Sequence, residues 1–390
     1  MSLTGRPMLL ATALLVVSAG PAPAWSAAVA SSPGIRLIGI AEIPRDAAAD
    51  GIPIGGLSGI DYDPRTGEWY AISDDRSEHG PARFYRMQIS YNHDRPPVVT
   101  MSAATPLHNE DSRTFPVQGT GAEASDAESI RAVPGTGDLI WSSEGDARDG
   151  YGPAVRRMAV DGASRGRVPL PMSFAFDPKG EHGPRPNLSI EGLSFTNQGR
   201  RLWLSLEAPL YQDGDLARAS TGAVVRLTEL AYPSGKVRRQ LAYSVEPIGP
   251  YPAGRMADNG VSEILALDPR HLLVLERSGV QDTDGDFHFR SRVYCAHISG
   301  ASNVAGLPSL QGQAYLPMRK TLPIDFSGFG ERNIGNVEGM ALGPVLSNGH
   351  ASLVFVTDND FSARRRTQVI AMEIIARPDP RAIARALCGR

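Results

Sequence analysis

The feature that most constrains this sequence is a hairpin-like unit that recurs five times with polar, mostly acidic residues at its open end. In its clearest copy, the apolar alternation of 190–195 runs into the turn 197–199, and 202–206 runs back out. Antiparallel pairing brings its two acids, Glu191 and Glu207, to the same end of the hairpin. The corresponding pairs in the other copies are Ser58 with Asp74, Glu128 with Glu144, Glu263 with Glu276, and Glu338 with Asp358.

The spacing of the copies predicts a β-propeller. The midpoint of every pair falls on a turn rich in proline, glycine or asparagine, as a repeated hairpin requires. A spacing of about 70 residues leaves room for two further strands and long loops in each copy, which is the pattern of a propeller blade. We therefore predict an all-β chain with five blades, with a sixth, degraded blade as the alternative.

The two ends of the chain are expected to share the last blade. After the fifth hairpin only one strand follows, at 367–375, so the blade lacks a strand that 35–40 near the N terminus can supply. Such closure removes the open sheet edges that an all-β protein must protect. Long polar stretches are expected to form loops over one face, where binding sites usually lie; they are 102–127, 171–188, 245–259 and 318–335.

The N terminus predicts export. Arg6 precedes an apolar run at 8–17 that is too short to span a bilayer, and small residues follow it. We predict a signal peptide over 1–27, a single domain over 28–390, and a periplasmic or secreted protein whose mature form has no membrane span. In an oxidising compartment Cys295 and Cys388 either pair or remain as two free thiols, and the sequence leaves both open.

Composition narrows the class of partner. The formal net charge of -3 argues against nucleic acid or an anionic membrane as a partner. The 41 glycines and 31 prolines, with apolar residues in short runs, favour a turn-rich β protein. We expect a monomer that acts on a small molecule.

The hairpin acids are the candidate site. If the first strand of each blade lines the central channel, they converge on one mouth of it, where like charges raise one another's pKa and call for a cation. Oxygen ligands without cysteine favour a hard ion, calcium first. The alternative is that the acids cap strand ends. The candidate metal ligands are Asp74, Glu128, Glu144, Glu191, Glu207, Glu263, Glu276, Glu338 and Asp358.

Two arginines next to these acids are candidates for substrate binding. Arg76 follows Asp74 and Asp75, and Arg277 follows Glu276, so both are expected near the same mouth. They would bind an anion such as phosphate, or simply neutralise the carboxylates.

A second calcium candidate at 282–286 fails the EF-hand spacing, which favours a solvated turn there. Motifs of nucleophilic, nucleotide-dependent and zinc enzymes are absent from the sequence, so no nucleophile is assigned.

Eight segments spread over most of the chain carry a resemblance to a known family: Gly56–Asp63, Ala71–Arg76, Gly80–Tyr85, Trp141–Gly145, Glu191–Ser194, Leu206–Leu210, Leu273–Arg277 and Asn336–Pro344. Together they resemble the phytase-like family, which is described by an esterase-like activity. The resemblance implies an exported β-propeller that hydrolyses ester or phosphoester bonds. Two positions depart from the family's pattern, Glu128-Ser129 and Asp358-Asn359-Asp360-Phe361, and both keep the acid.

Three functions follow as hypotheses. The first is a calcium-dependent hydrolase of phosphoesters, phytate-like compounds included, in which bound metal lowers the pKa of an attacking water. The second is a metal-dependent carboxylesterase or lactonase that uses the same cation to polarise a carbonyl. The third is an envelope protein that binds a ligand without turnover, since propellers host many unrelated functions.

Overall fold

The computed structural model describes residues 15–17, 34–196, 198–332 and 334–389. Five antiparallel sheets, each containing four strands of one blade, are arranged as a β-propeller, which confirms the predicted fold and blade number. The predicted signal peptide lies outside the described residues except for Leu15–Val17, a short strand on the outer edge of the first blade.

Each blade is numbered by its place in the chain and described from the channel outward. Blade 1 comprises Leu57–Asp63, Glu68–Ser73, Arg83–Asn92 and Arg95–Pro106; blade 2 comprises Ala127–Ala132, Leu139–Ser143, Ala154–Met158 and Ser164–Val168. Blade 3 comprises Ile190–Thr196, Arg201–Leu206, Ala223–Ala231 and Lys236–Val245; blade 4 comprises Ala257–Asp268, His271–Gln281, Phe287–His297 and Arg319–Asp325. Blade 5 comprises Asn336–Leu342, Ala351–Asp358, Thr367–Ile374 and Ile35–Ile43.

The N-terminal segment closes the propeller as predicted. Ile35–Ile43 pairs antiparallel with Thr367–Ile374 over its whole length and forms the outer strand of blade 5. The first and last blades also pack on each other, so the ring of blades is continuous. A small hairpin of Ala48–Ala49 and Ile52–Pro53 connects this outer strand to blade 1.

All four stretches predicted to be loops contain some regular structure, which in 171–188 is the 3-10 helix Met172–Phe174 and in 245–259 is the ends of two strands. The first part of 102–127 continues Arg95–Pro106, and 318–335 contains the outer strand of blade 4, Arg319–Asp325, followed by the 3-10 helix Phe326–Arg332. The loop prediction failed for that outer strand because its exposed face carries charged and polar side chains. The remaining short 3-10 helices are Ala147–Asp149 and Tyr211–Asp213.

Apolar side chains hold neighbouring blades together. Within the described residues, five large apolar clusters occur, and each joins the facing sides of two adjacent blades. Trp69, Trp141 and Trp203, all on second strands, are essentially fully buried in three of these interfaces. Burial of large aromatic side chains on this scale makes a rigid scaffold, on which the residues at the channel mouth keep fixed positions.

A C-terminal helix, which the sequence analysis did not predict, is tied to this scaffold. Pro380–Cys388 begins at Asp379, whose carboxylate accepts the amides of Arg381 and Ala382 as an N-cap. The helix buries its apolar face in the cluster between blades 4 and 5. Its last residue, Cys388, forms a disulfide with Cys295 on the third strand of blade 4, which settles the question left open by the sequence.

Removal of this disulfide is expected to weaken the fold. The bond links cysteines separated by 93 positions, so its loss frees a long loop in the unfolded chain. Cys388→Ser should lower the free energy of unfolding by about 2 to 5 kcal/mol, measured by urea denaturation. Wild-type protein reduced under denaturing conditions and refolded in reductant is the matched sample. A variant with the wild-type denaturation midpoint would contradict this expectation.

Candidate metal centre

A β-bulge recurs at the same position in the innermost strand of every blade. Each inner strand changes register against its neighbour at this point, between Leu57 and Gly59 in blade 1, for example. A bulge re-aims the side chain it carries, and bulges are frequent beside active sites. The bulged residues are Ser58, Glu128, Glu191, Ser262 and Glu338.

In every blade except blade 4, the residue after the bulge is small, because neighbouring inner strands approach closely there. A Cβ atom on Gly59 would lie 2.5 Å from the carbonyl oxygen of Glu128 on the next blade. One on Gly192 would lie 2.7 Å from the amide of Ile264. These contacts explain the glycine that follows the bulged acid in blades 3 and 5: the glycine permits the packing that positions the acid.

The second strand of each blade adds a further residue to the same mouth. The amides of Asp74, Glu144 and Glu207 each donate to a carbonyl at the start of the paired inner strand, at 2.7 to 2.9 Å. In blades 4 and 5 the register places Arg277 and Asp358 at the corresponding position. Blade 4 therefore contributes an arginine where the other four blades contribute an acid.

Seven of the nine predicted acids lie at this mouth, and we call them the acid ring. They line a cavity of about 390 Å³ together with Arg76, Arg277, Asp258 and Asp360. The members of the acid ring are Asp74, Glu128, Glu144, Glu191, Glu207, Glu338 and Asp358.

The prediction that Glu263 and Glu276 line the same mouth is wrong by one residue of register. Glu263 lies further along the channel, where its carboxylate is 2.6 Å from the guanidinium of Arg131. Glu276 accepts hydrogen bonds from Lys320 and from the hydroxyl of Tyr243, both at 2.6 Å. The turn of the hairpin was correctly located, but both acids lie one residue nearer to it than the mouth positions, which in blade 4 are Ser262 and Arg277, and neighbouring positions face opposite sides of a sheet.

Three groups of carboxylates at the mouth have the spacing of metal ligands. Within each group, one oxygen from every residue lies within 4.8 Å of the others. Two oxygens bound to one calcium ion at about 2.3 to 2.6 Å are at most about twice that distance apart, so the groups fit a calcium ion. Glu144 belongs to two of them. The groups are Asp126, Glu128 and Glu144; Glu144, Glu191 and Glu207; and Asp74, Asp358 and Asp360.

The acid ring is electrostatically unfavourable without a cation. Burial, followed by repulsion from neighbouring carboxylates, raises the pKa values of Glu128, Glu144 and Glu191 well above the ordinary range. Burial raises the pKa of Glu207 to about 8, although Arg277 opposes the shift. The pKa values of Asp74 and Asp358 are raised for the same two reasons, burial first and then repulsion from neighbouring carboxylates. A bound cation would reverse these shifts.

Two buried side-chain oxygens on the inner strands of blades 4 and 5 also lack a hydrogen-bond partner within the described residues. The hydroxyl of Ser262, the bulged residue of blade 4, and the side-chain carbonyl of Asn336 make no hydrogen bond within the described part of the chain. Buried polar atoms are normally satisfied, and both are oxygen donors of the kind that calcium accepts. The donor set is therefore oxygen throughout and suits a hard cation.

Both candidate arginines lie among these acids. Arg76 donates to both oxygens of Asp126 at 2.7 Å, and Arg277 lies 3.2 Å from Glu207 and from Asp258. Burial alone would lower the pKa of each arginine, but the surrounding carboxylates outweigh it and raise both values. Both guanidinium groups stay charged and offset part of the negative charge of the ring.

Some residues at the mouth were not identified from the sequence. Asp126 directly precedes the inner strand of blade 2, and Asp360 lies in the turn after the second strand of blade 5, so strand alternation gave no signal for either. His79 and Phe361 form a wall of the cavity, stacked at 4.1 Å and nearly parallel, but they are distant in sequence and carry no pattern.

The loop that holds this wall adopts an unusual backbone. Asp360 and Phe361 have φ angles of 43° and 50°, the left-handed region that non-glycine residues rarely adopt. Such conformations persist where the surrounding structure imposes them, often at functional sites.

The other calcium candidate, 282–286, forms a closed turn in which Asp282 accepts the amides of Asp284 and Asp286. Its carboxylate is thus used by the turn itself, as a solvated turn requires.

A family model described as "Phytase-like: Esterase-like activity of phytase" matches residues 52–361 of the 390. None of the curated proteins compared with the chain matches it. Among solved structures, a glycosyl hydrolase from Bacteroides ovatus is similar with 11% identity and a TM-score of 0.39, covering 84% of this chain and 86% of that one. The catalytic domain of the Coprinopsis cinerea GH62 α-L-arabinofuranosidase is similar with 11% identity and a TM-score of 0.35, covering 88% and 96%. Similarity at this level does not transfer an activity.

Proposed function

This chain belongs to the phytase-like family, and we propose that it is an exported, calcium-dependent hydrolase of phosphoesters that acts at the acid ring. The observation that carries the proposal is the set of three carboxylate groups with calcium spacing beside two charged arginines in one cavity. Carboxylates alone would repel a phosphoester. A cation held by them, with the arginines, would make the same cavity attractive to one.

The residues divide into two roles. The two groups that share Glu144 would hold calcium, and so would the group of Asp74, Asp358 and Asp360. Bound calcium would screen the phosphate charge and lower the pKa of a coordinated water. Arg76 and Arg277 would bind the anionic oxygens of the substrate, because guanidinium groups offer paired donors to phosphate.

The surroundings of the acid ring suit this chemistry. His79 and Phe361 line one side of the cavity as a stacked pair. A substrate bound against them would displace water, and water exclusion strengthens the interaction of charged side chains with an anionic substrate. The left-handed backbone at Asp360 and Phe361 fixes both the wall and a carboxylate of the third group.

Export is part of the proposal. A signal peptide over 1–27 would direct the domain at 28–390 to the periplasm or the medium, and the disulfide is of a kind that persists in oxidising compartments. No helix within the described residues has the length and apolar character needed to cross a membrane. We propose a monomer acting on a small-molecule substrate.

The test is hydrolysis by the purified mature protein. We expect phosphate release from phytate or an aryl phosphate in the presence of calcium, loss of that release with a chelator, and recovery when excess calcium is added. Turnover of a carboxylic ester or lactone without phosphate release would select the esterase alternative. Ligand binding without any turnover would select a binding protein, and either result would contradict phosphoester hydrolysis.

A further inference from the structure

The channel below the acid ring is filled by one arginine. Arg131 extends from the inner strand of blade 2, and its side chain is 3% exposed. Its guanidinium donates to a main-chain carbonyl oxygen from every one of the five blades. Each of these carbonyls belongs to the second residue after the bulge, and the acceptors are Ile60 at 2.5 Å, Ile130 at 2.9 Å, Leu193 at 2.6 Å, Ile264 at 3.3 Å and Met340 at 3.3 Å.

Five carbonyl oxygens that converge from equivalent positions form a cation site. Carbonyl oxygens arranged around an axis replace the hydration shell of an ion, as they do in ion-selective channels. The negative charge that completes the site is Glu263, whose carboxylate lies 2.6 Å from the guanidinium. Glu263 also accepts the amide of Ile264 at 2.9 Å and the hydroxyl of Ser129 at 3.1 Å, so its own position is fixed.

Arg131 and Glu263 are both departures from the repeat. The positions equivalent to Glu263 in the other blades are Gly59, Ser129, Gly192 and Gly339, all small. The positions equivalent to Arg131 are Asp61, Ser194, Leu265 and Ala341, none of them basic. The ion pair between Arg131 on blade 2 and Glu263 on blade 4 is therefore not part of the repeated blade pattern.

We propose that Arg131 is a built-in axial cation: its guanidinium occupies a cation site made by five carbonyls and Glu263, and closes the channel beneath the acid ring. The site is separate from the calcium groups, and its test does not require the protein to be an enzyme.

The experiment is chemical rescue by free guanidinium. Arg131→Gly leaves Glu263 and the five main-chain carbonyls without their donor, so we expect the melting temperature to fall by about 5 °C. Guanidinium chloride at millimolar concentration should restore at least half of the loss, because the free ion fits the vacated site. Urea and sodium chloride at the same concentration should not. Arg165→Gly, which removes an arginine that is 54% exposed, is the matched control and should show neither loss nor rescue.

A second variant keeps the proposal testable if the first folds poorly. Arg131→Ala combined with Glu263→Gln removes both charges and leaves the five carbonyls, so it should fold and still be stabilised by guanidinium more than by urea. Equal responses to guanidinium, urea and sodium chloride in both variants would overturn the proposal. So would failure of both variants to refold in the presence of guanidinium. Calcium dependence of hydrolysis is measured separately, so either proposal can fail alone.

Discussion

Replacing Glu144 by glutamine is expected to lower kcat/KM for an aryl phosphate about a thousandfold, which corresponds to roughly 4 kcal/mol of transition-state stabilisation. Glu144 is the residue shared by two of the three carboxylate groups, so one substitution removes a ligand from both. Glutamine has the same shape and can still accept the amide of Ser189, which Glu144 accepts now. The loss is therefore expected in catalysis and calcium binding, and the fold should remain.

The melting temperature of the Glu144→Gln variant distinguishes loss of a calcium ligand from misfolding. Since burial, followed by repulsion from neighbouring carboxylates, holds the pKa of Glu144 well above its ordinary value, removal of its charge should raise the melting temperature of the metal-free protein. Glu229→Gln is the matched control, because Glu229 is also buried, pairs with Arg239 on blade 3 and lies outside the cavity. A Glu144→Gln enzyme with wild-type activity and calcium affinity would contradict the proposed role.

The metal-free protein is expected to lose several kcal/mol of stability as the pH rises from about 4.5 to about 8. Glu207 has an ordinary pKa of 4.5 and a folded-state value of about 8, so within this window the folded state binds more protons than the unfolded state. Stability must then fall as pH rises, since its slope follows the difference in bound protons. The raised pKa values of the other acids in the ring act in the same direction.

Calcium should remove this pH dependence. A cation that binds only the folded protein stabilises it, and it does so most where the carboxylates are ionised. Denaturation at a series of pH values, with calcium and with chelator, measures both effects, and magnesium at the same ionic strength is the control for screening. Metal-free protein that becomes more stable towards pH 8, or curves that are unchanged by calcium, would contradict the prediction.

The repeat itself was readable from the sequence because each blade repeats one physical unit. Apolar alternation, a turn at the midpoint and polar, mostly acidic residues at the open end recur at regular spacing. This was enough to predict five blades, closure by 35–40, and the mouth at which acids such as Glu191 and Glu207 gather.

What the sequence did not reveal depends on bulges and on contacts between distant residues. Blade 4 keeps the hairpin and its bulge but has Ser262 and Arg277 at the positions that hold acids in blades 2, 3 and 5, and its own acids lie one residue nearer the turn. Glu263 was therefore assigned to the wrong group, and its true partner, Arg131, lies 132 residues away in another blade. No local pattern could have paired them.

The central claim is that the acid ring holds calcium, and a crystal structure of the protein grown with calcium tests it most directly. Data collected at a long wavelength would show calcium by its anomalous signal. The account predicts a peak between Glu144, Glu191 and Glu207, with oxygens at about 2.3 to 2.6 Å, and its absence in the Glu144→Gln variant. Well-ordered carboxylates at the mouth with no anomalous peak among them, at saturating calcium, would contradict it.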